Sequence, residues 1–187
     1  MRTLAITQNI TLDGRIEMLD DWFDAQGQGD QDDLVAENER QDSAADALLV
    51  GRQTFTDLRG YWRDLGEADT TGISDYLNGV AKYVVTSTLA DDELDWAGTT
   101  ALRGDVVAEV AALKAAGGKD VVCTGSITLT HALLEAGLVD EVRLFVYPVV
   151  QGRGRRLFPE GHVPTRARLL DQQAFRSGIA LLTYRLG

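Results

Sequence analysis

Short apolar runs alternate with longer amphipathic stretches along this chain, and that rhythm predicts strands separated by helices. Leu4 to Ile10 is an apolar run interrupted by Gln8 and Asn9, and it predicts a first strand. Thr11-Leu12-Asp13-Gly14-Arg15-Ile16 predicts a turn, because Asp-Gly is a strong turn dipeptide. Residues 17 to 31, with Gly27 and Gly29, predict a long irregular loop, and long loops in compact domains often carry function. Asp32 to Ala45 predicts a helix with a thin apolar face. Ala47-Leu48-Leu49-Val50, Tyr83-Val84-Val85 and Val121-Val122-Cys123 are continuous apolar runs, the pattern of strands buried on both faces. Gly51 opens a helix after the first run, and Thr99 to Leu102 predicts a weaker strand. Val106 to Ala116 predicts a helix closed by Gly117-Gly118. Leu129, Ala132, Leu133 and Ala136 keep helical spacing up to Gly137. Val142 to Val150 predicts a strand, and Arg166 to Phe175 with Ile179 to Leu186 predicts a hairpin through Ser177-Gly178. The expected fold class is α/β, with a mostly parallel sheet and an antiparallel end.

Composition places this pattern among globular domains. The 187 residues suit one domain spanning 1–187. With 44% hydrophobic and 25% charged residues, the chain is neither disordered nor fibrous. No apolar run approaches the about eighteen residues of a membrane helix, and the N-terminus does not read as a secretory signal. Cys123 is the single cysteine, so neither an internal disulfide nor a cysteine-rich zinc site can form. These features predict a cytoplasmic protein without a membrane partner. Eighteen basic against 29 acidic residues give a net charge of −11, which argues against nucleic acid. The charge is uneven. Residues 17 to 46 hold eleven acids against Arg40 alone, whereas residues 150 to 187 hold seven arginines against Glu160 and Asp171. This is either a solubility pattern or a device that attracts a phosphorylated small molecule.

Candidate chemistry gathers at strand ends. Val50 leads into Gly51-Arg52-Gln53-Thr54, Val85 into Thr86-Ser87-Thr88, and Cys123 into Thr124-Gly125-Ser126. Ligands of open α/β sheets bind outside the carboxyl ends of strands, and a helix N-terminus there presents N–H groups to phosphate. Arg52 adds a guanidinium fork suited to phosphate, or else makes a surface ion pair. There is no P-loop and no G-x-G-x-x-G fingerprint. His131 and His162 lack partners at ligand spacing, so no metal site is expected, and Cys123 reads as a small core residue. Trp22, Tyr61 and Trp62 are packing residues or rings for a flat substrate. Arg153, Arg155 and Arg156 either grip a substrate phosphate or pair with the acidic stretch.

These segments together resemble the dihydrofolate reductase superfamily, closest to its riboflavin-biosynthesis reductase branch. Leu48-Leu49-Val50-Gly51-Arg52-Gln53-Thr54-Phe55 is similar to its strand–Gly-Arg-x-Thr–helix element, and Thr11-Leu12-Asp13-Gly14 to its first turn. Tyr83 to Leu89 resembles the middle cofactor loop, Gly125 to Glu141 the glycine-loop helix and strand lead-in, and Tyr147 to Phe158 the Pro-Val-x-x-Gly-x-Gly loop. The resemblance implies a three-layer fold with an eight-stranded sheet, NADPH as cofactor and a homodimer. It implies that Gly51, Arg52, Gln53 and Thr54 meet the cofactor phosphates. Thr86 and Ser87 would lie near the 2′-phosphate. Thr124, Gly125, Ser126 and Ile127 would lie under the pyrophosphate and nicotinamide, with Asp13, Gly14 and Ile16 over the nicotinamide. Asp33 is the first expected proton donor and Asp13 the second, with Asp32 or Glu37 as substitutes in a pterin site. Trp22, Arg153 and Arg155 are expected at the substrate. Two departures stand out: Thr124 occupies a usual glycine position, and Phe145 stands where folate reductases carry threonine. The implied activity is reduction of a small heterocycle, similar to 5-amino-6-(5-phosphoribosylamino)uracil reductase. The alternatives are a dihydrofolate or pterin reductase and a non-catalytic nucleotide-binding homologue.

Overall fold

The structure is a computed structural model that describes residues 1–24, 31–163 and 166–187. Eight strands form one sheet: β1 (Leu4–Thr11), β2 (Ala45–Gly51), β3 (Ala81–Val85), β4 (Thr99–Leu102), β5 (Asp120–Thr124), β6 (Glu141–Tyr147), β7 (Ala167–Ala174) and β8 (Ala180–Leu186). Their spatial order is β4-β3-β2-β5-β1-β6-β8-β7. The first six run parallel, and β8 and β7 are antiparallel. The expected α/β class and sheet are therefore observed.

Among the described residues five α-helices cover the sheet: α1 (Asp32–Ala44), α2 (Arg52–Trp62), α3 (Ile73–Gly79), α4 (Val106–Ala115) and α5 (Ile127–Glu135). Successive strand residues point to opposite faces, and β2 shows the division. Leu49 packs with Val110 of α4 and Leu133 of α5. Leu48 and Val50 pack instead with Phe55 and Trp62 of α2 and Leu77 of α3. Leu34 of α1 belongs to a separate cluster with Phe145, Phe175 and Leu181. Helices thus lie on both faces, the three-layer arrangement.

Two local outcomes differ from expectation. The strand expected to reach Val150 stops at Tyr147, because Pro148 brings no N–H to the ladder. Helix α3 was not expected; its seven residues bring only Ile73, Tyr76 and Leu77 to the packing. It is started by the Asp69 carboxylate, which accepts from Ser74 N at 2.7 Å. Helix α1 appears as expected, but its buried residues are Leu34, Glu37 and Gln41. Of the expected loop, residues 25–30 lie outside the described residues, and residues 15–22 are joined to 151–156.

Candidate active site

A groove of about 680 Å³ runs along the carboxyl ends of the parallel strands. Two helices begin on it. Helix α2 starts at Arg52 directly after β2, and α5 starts at Ile127 just after β5. Gly51 N–H donates to Ser126 Oγ at 2.8 Å and ties the two starts together. Neither helix has a side-chain cap or an acid in its first turn. Their first N–H groups and positive dipole ends are thus left for an anion. Gly125 has φ +68°, and a Cβ there would lie 2.8 Å from Thr54 Cγ2. Only glycine lets the two helix starts come this close. Gln8, whose amide nitrogen is buried without a hydrogen-bond partner among the described residues, also lines the groove.

At one end the groove meets a hollow lined by Arg52, Thr86, Ser87 and Arg103. The Thr86 hydroxyl accepts from Thr88 N and Leu89 N and shapes that loop. Arg103 pairs with Asp91 at 2.8 Å, while Arg52 makes no ion pair among the described residues. The sequence reading overlooked Arg103, whose only signal was its place one residue after β4.

At the other end, Asn9, Leu58 and Thr124 are shared with a second cavity of about 250 Å³ between α1 and the α2–α3 pair. Phe23, Trp62, Tyr76, Phe145 and Tyr147 give it aromatic walls. Asp42 of α1 lines it, and burial, reinforced by the Glu39 charge, pushes that carboxyl up to about 6. Two further lining groups, Thr7 Oγ1 and Tyr76 Oη, are buried without partners among the described residues. Asp42, Thr7 and Tyr76 escaped the sequence reading.

The structure therefore gathers Ile16, Gly51, Arg52, Gln53, Thr54, Thr124, Gly125, Ser126 and Ile127 around the groove, with Thr86 and Ser87 in the adjoining hollow. It sets other expected residues apart. Gly14 (φ +80°) makes the first turn and lines none of these cavities. The Asp13 carboxylate accepts from Thr11 Oγ1, Gln151 N and Gly152 N at 2.7, 3.0 and 2.9 Å. These bonds hold its pKa far below the usual carboxylate range, so Asp13 is a loop anchor with no proton to give at neutral pH. Asp33 accepts from Arg176 N at 2.9 Å and Leu34 N at 3.0 Å, which lowers its pKa, and it lines none of the cavities. Trp22 donates to Gln151 Oε1 at 2.7 Å and packs edge-on to Tyr147, so it is the adjacent Phe23 that faces the cavity. Arg153 pairs with Asp20 at 2.6 Å and Arg155 with Glu17 at 2.8 Å. Both arginines thus pair with the acidic stretch in exposed ion pairs, and of the two only Arg155 borders the groove. Gln151, also overlooked, joins the two loops: its amide donates to Glu17 O and Arg153 O.

Cys123 is buried, and burial pushes its thiol up to about 12, the state of an inert core thiol. Among the described residues no group of His, Cys, Asp and Glu is arranged to hold a metal.

An eight-stranded sheet with an antiparallel hairpin at one edge, and a groove crossing its strand ends, defines a dihydrofolate-reductase-like fold. The same architecture is found in a putative riboflavin biosynthesis protein from Shewanella sp. PV-4, with TM-score 0.70, 16% identity and 99% coverage of both chains. A diaminohydroxyphosphoribosylaminopyrimidine deaminase/5-amino-6-(5-phosphoribosylamino)uracil reductase from Thermotoga maritima superposes with TM-score 0.66 and 16% identity. All of this chain aligns there with 57% of the larger one. Residues 2–181 match the RibD C-terminal domain, and the chain belongs to that family. The uncharacterized protein YyaP of Bacillus subtilis (strain 168) is 30% identical over 141 residues, 74% of this chain and 73% of its own. Among the described residues no helix is long and apolar enough to cross a membrane.

Proposed function

We propose that the protein is an NADPH-dependent reductase of a small heterocyclic substrate, of the riboflavin-biosynthesis reductase type. One observation carries the reading: a groove built from two uncapped helix starts opens, at Asn9, Leu58 and Thr124, into an aromatic-walled cavity. NADPH supplies hydride when bound. The chain's own part is to hold its phosphates on the first turns of α2 and α5, with Arg52 as counter-charge. The Gly125 cradle and the unpartnered Gln8 amide fit such a guest. The hollow at Arg52, Thr86, Ser87 and Arg103 suits the extra phosphate that distinguishes NADPH from NADH. In the second cavity Asp42 holds a proton near neutral pH more readily than an ordinary aspartate, and it replaces Asp33 and Asp13 in that role.

The same reading places the protein in the cytoplasm as a homodimer. All eight residues of the edge strand β7 are exposed, Leu169 and Leu170 among them, and light scattering checks the pairing. The main test is twofold: fluorescence titration of NADPH and NADH, then NADPH oxidation with a pyrimidine and pterin panel. NADPH is expected to bind more tightly and to be oxidised with at least one pyrimidine. No NADPH binding overturns the reading. Binding without oxidation by any substrate identifies a nucleotide-binding homologue, and oxidation by dihydropterins alone identifies a pterin reductase.

A further inference from the structure

The cavity beyond the groove has a charge character that its relatives' phosphoribosyl chemistry does not anticipate. Among the described residues no lysine, arginine or histidine lines it, while two carboxylates, Asp24 and Asp42, do. Residues 25–30 and 164–165, which lie outside the described residues, contain no lysine, arginine or histidine in their sequence. We propose that this cavity selects a flat, unphosphorylated molecule that is neutral or cationic, and that Asp42 is the side chain that enforces the choice. The inference rests on the reductase reading for its biological meaning, but not for its test.

The charged and titratable groups described around Asp42 support the selection. On its own helix, Glu39 adds negative potential, and Glu37 is bound at 2.7 Å by Arg40, so that arginine is already neutralised. From β6 comes Arg143, which pairs with Asp120 at 2.5 Å and Glu141 at 3.2 Å. From α3 comes only the Tyr76 phenol, un-ionised at neutral pH because burial and the Asp42 charge raise its pKa. Among the described residues no cation lines the cavity to meet a guest. The α1 N-terminus offers no substitute, since its first turn carries Asp32 and Asp33. A phosphate entering here would lose its hydration and gain no counter-charge. A flat cation or amide would meet a carboxylate, two unpartnered hydroxyls (Thr7 and Tyr76) and aromatic faces suited to planar or cationic groups.

Four small probes of nearly one shape test this: benzamidine (cation), benzamide (neutral), benzoate (anion) and phenyl phosphate. They are titrated calorimetrically into the full-length protein and into Asp42→Asn at pH 7.5, with NADPH affinity measured alongside. Benzamidine is expected to bind about tenfold or more tighter than benzoate, the span of one charge-assisted hydrogen bond, with phenyl phosphate weakest. In Asp42→Asn benzamidine should lose about that factor, while benzamide changes by less than about threefold. A second measurement uses the unaltered protein: benzamidine affinity should fall as pH drops from 8 through about 6, where Asp42 takes up its proton. Benzoate or phenyl phosphate binding as tightly as benzamidine, an unchanged ranking in Asp42→Asn, or a flat pH profile overturns the proposal. If the ranking holds but NADPH does not bind, the reductase reading falls and the selectivity stands; the converse result removes the selectivity alone.

Discussion

Gly125 is where the groove's construction is most exposed to a single methyl group. Replacing it with alanine adds a Cβ 2.8 Å from Thr54 Cγ2 and 3.2 Å from Thr54 Oγ1. Carbon pairs are comfortable at about 3.5–4.0 Å, so α2 or α5 must give way. Two separable penalties follow. The backbone sits at φ +68°, where an L-residue costs about 1–2 kcal/mol. Overpacking at a tight contact adds about 1–3 kcal/mol. The Gly125→Ala protein should therefore be about 2–5 kcal/mol less stable in urea denaturation. Thr54→Ser removes the Cγ2 that collides, so the double variant should recover the packing part and keep the backbone part. The interaction energy from the four proteins isolates the contact. NADPH titration should show Gly125→Ala weakened by about tenfold or more, since the N–H groups of both helix starts would shift from the phosphates. Stability within about 0.5 kcal/mol of the parent, or no coupling to Thr54, would refute the close approach of the two helices.

Other perturbations test other parts of the molecule. Arg52→Ala should weaken NADPH by about 1.5–3 kcal/mol, one charge-assisted contact; unchanged affinity by fluorescence titration moves the phosphates elsewhere. Lys82 is fully buried, donates to Leu77 O and Val80 O at 2.6 and 2.8 Å, and has its pKa pushed down to about 8 by burial. Because the unfolded lysine keeps its ordinary value of 10.5, the unfolded chain binds the extra proton between those values and stability rises with pH there. Lys82→Met should flatten that rise in urea midpoints, and a slope that persists in the variant discards the assignment. Asp13→Asn should speed hydrogen exchange at the Gln151 and Gly152 amides, which the carboxylate now holds. In the parent that protection should be present at neutral pH and be lost only when strong acid protonates Asp13; amides equally protected in Asp13→Asn would rule the anchor out.

The elements that were legible in the sequence are those whose burial writes a period into it. Ala47 to Val50 and Val121 to Cys123 read as strands because both sheet faces are covered, and the groove residues followed because they sit where such strands end. Helix α3 was not legible, since a seven-residue helix brings too few apolar positions to show a period. The cavity was not legible for a different reason. Thr7, Asp42 and Tyr76 come from β1, α1 and α3, and only packing makes them neighbours. No spacing announces a carboxyl whose pKa is raised by tertiary burial. Asp13 misled for the complementary reason: an aspartate in a glycine turn can serve a ligand or a loop. The deciding partner, Gln151, lies 138 residues downstream.

Gln8 and Asn9, which looked like blemishes in an apolar strand, instead show how the molecule divides its labour between the two sides of β1 and β5. Leu4, Ile6, Val121 and Cys123 point one way and are all fully buried against α4 and α5. Thr7, Asn9, Val122 and Thr124 point the other way and floor the cavity. On that second face the apolar packing is broken into two clusters: one around Leu48 and Val84, the other around Phe145 and Leu181. The cavity occupies the gap between them. Its floor is nevertheless central to the sheet, because β1 is hydrogen-bonded on both sides, to β5 and β6. A polar floor there sacrifices apolar burial on one face only, and the opposite face offsets it with a continuous core. That arrangement puts the floor of the site in the hydrogen-bonded centre of the sheet, while α1, α2 and α3 supply the helical part of its walls.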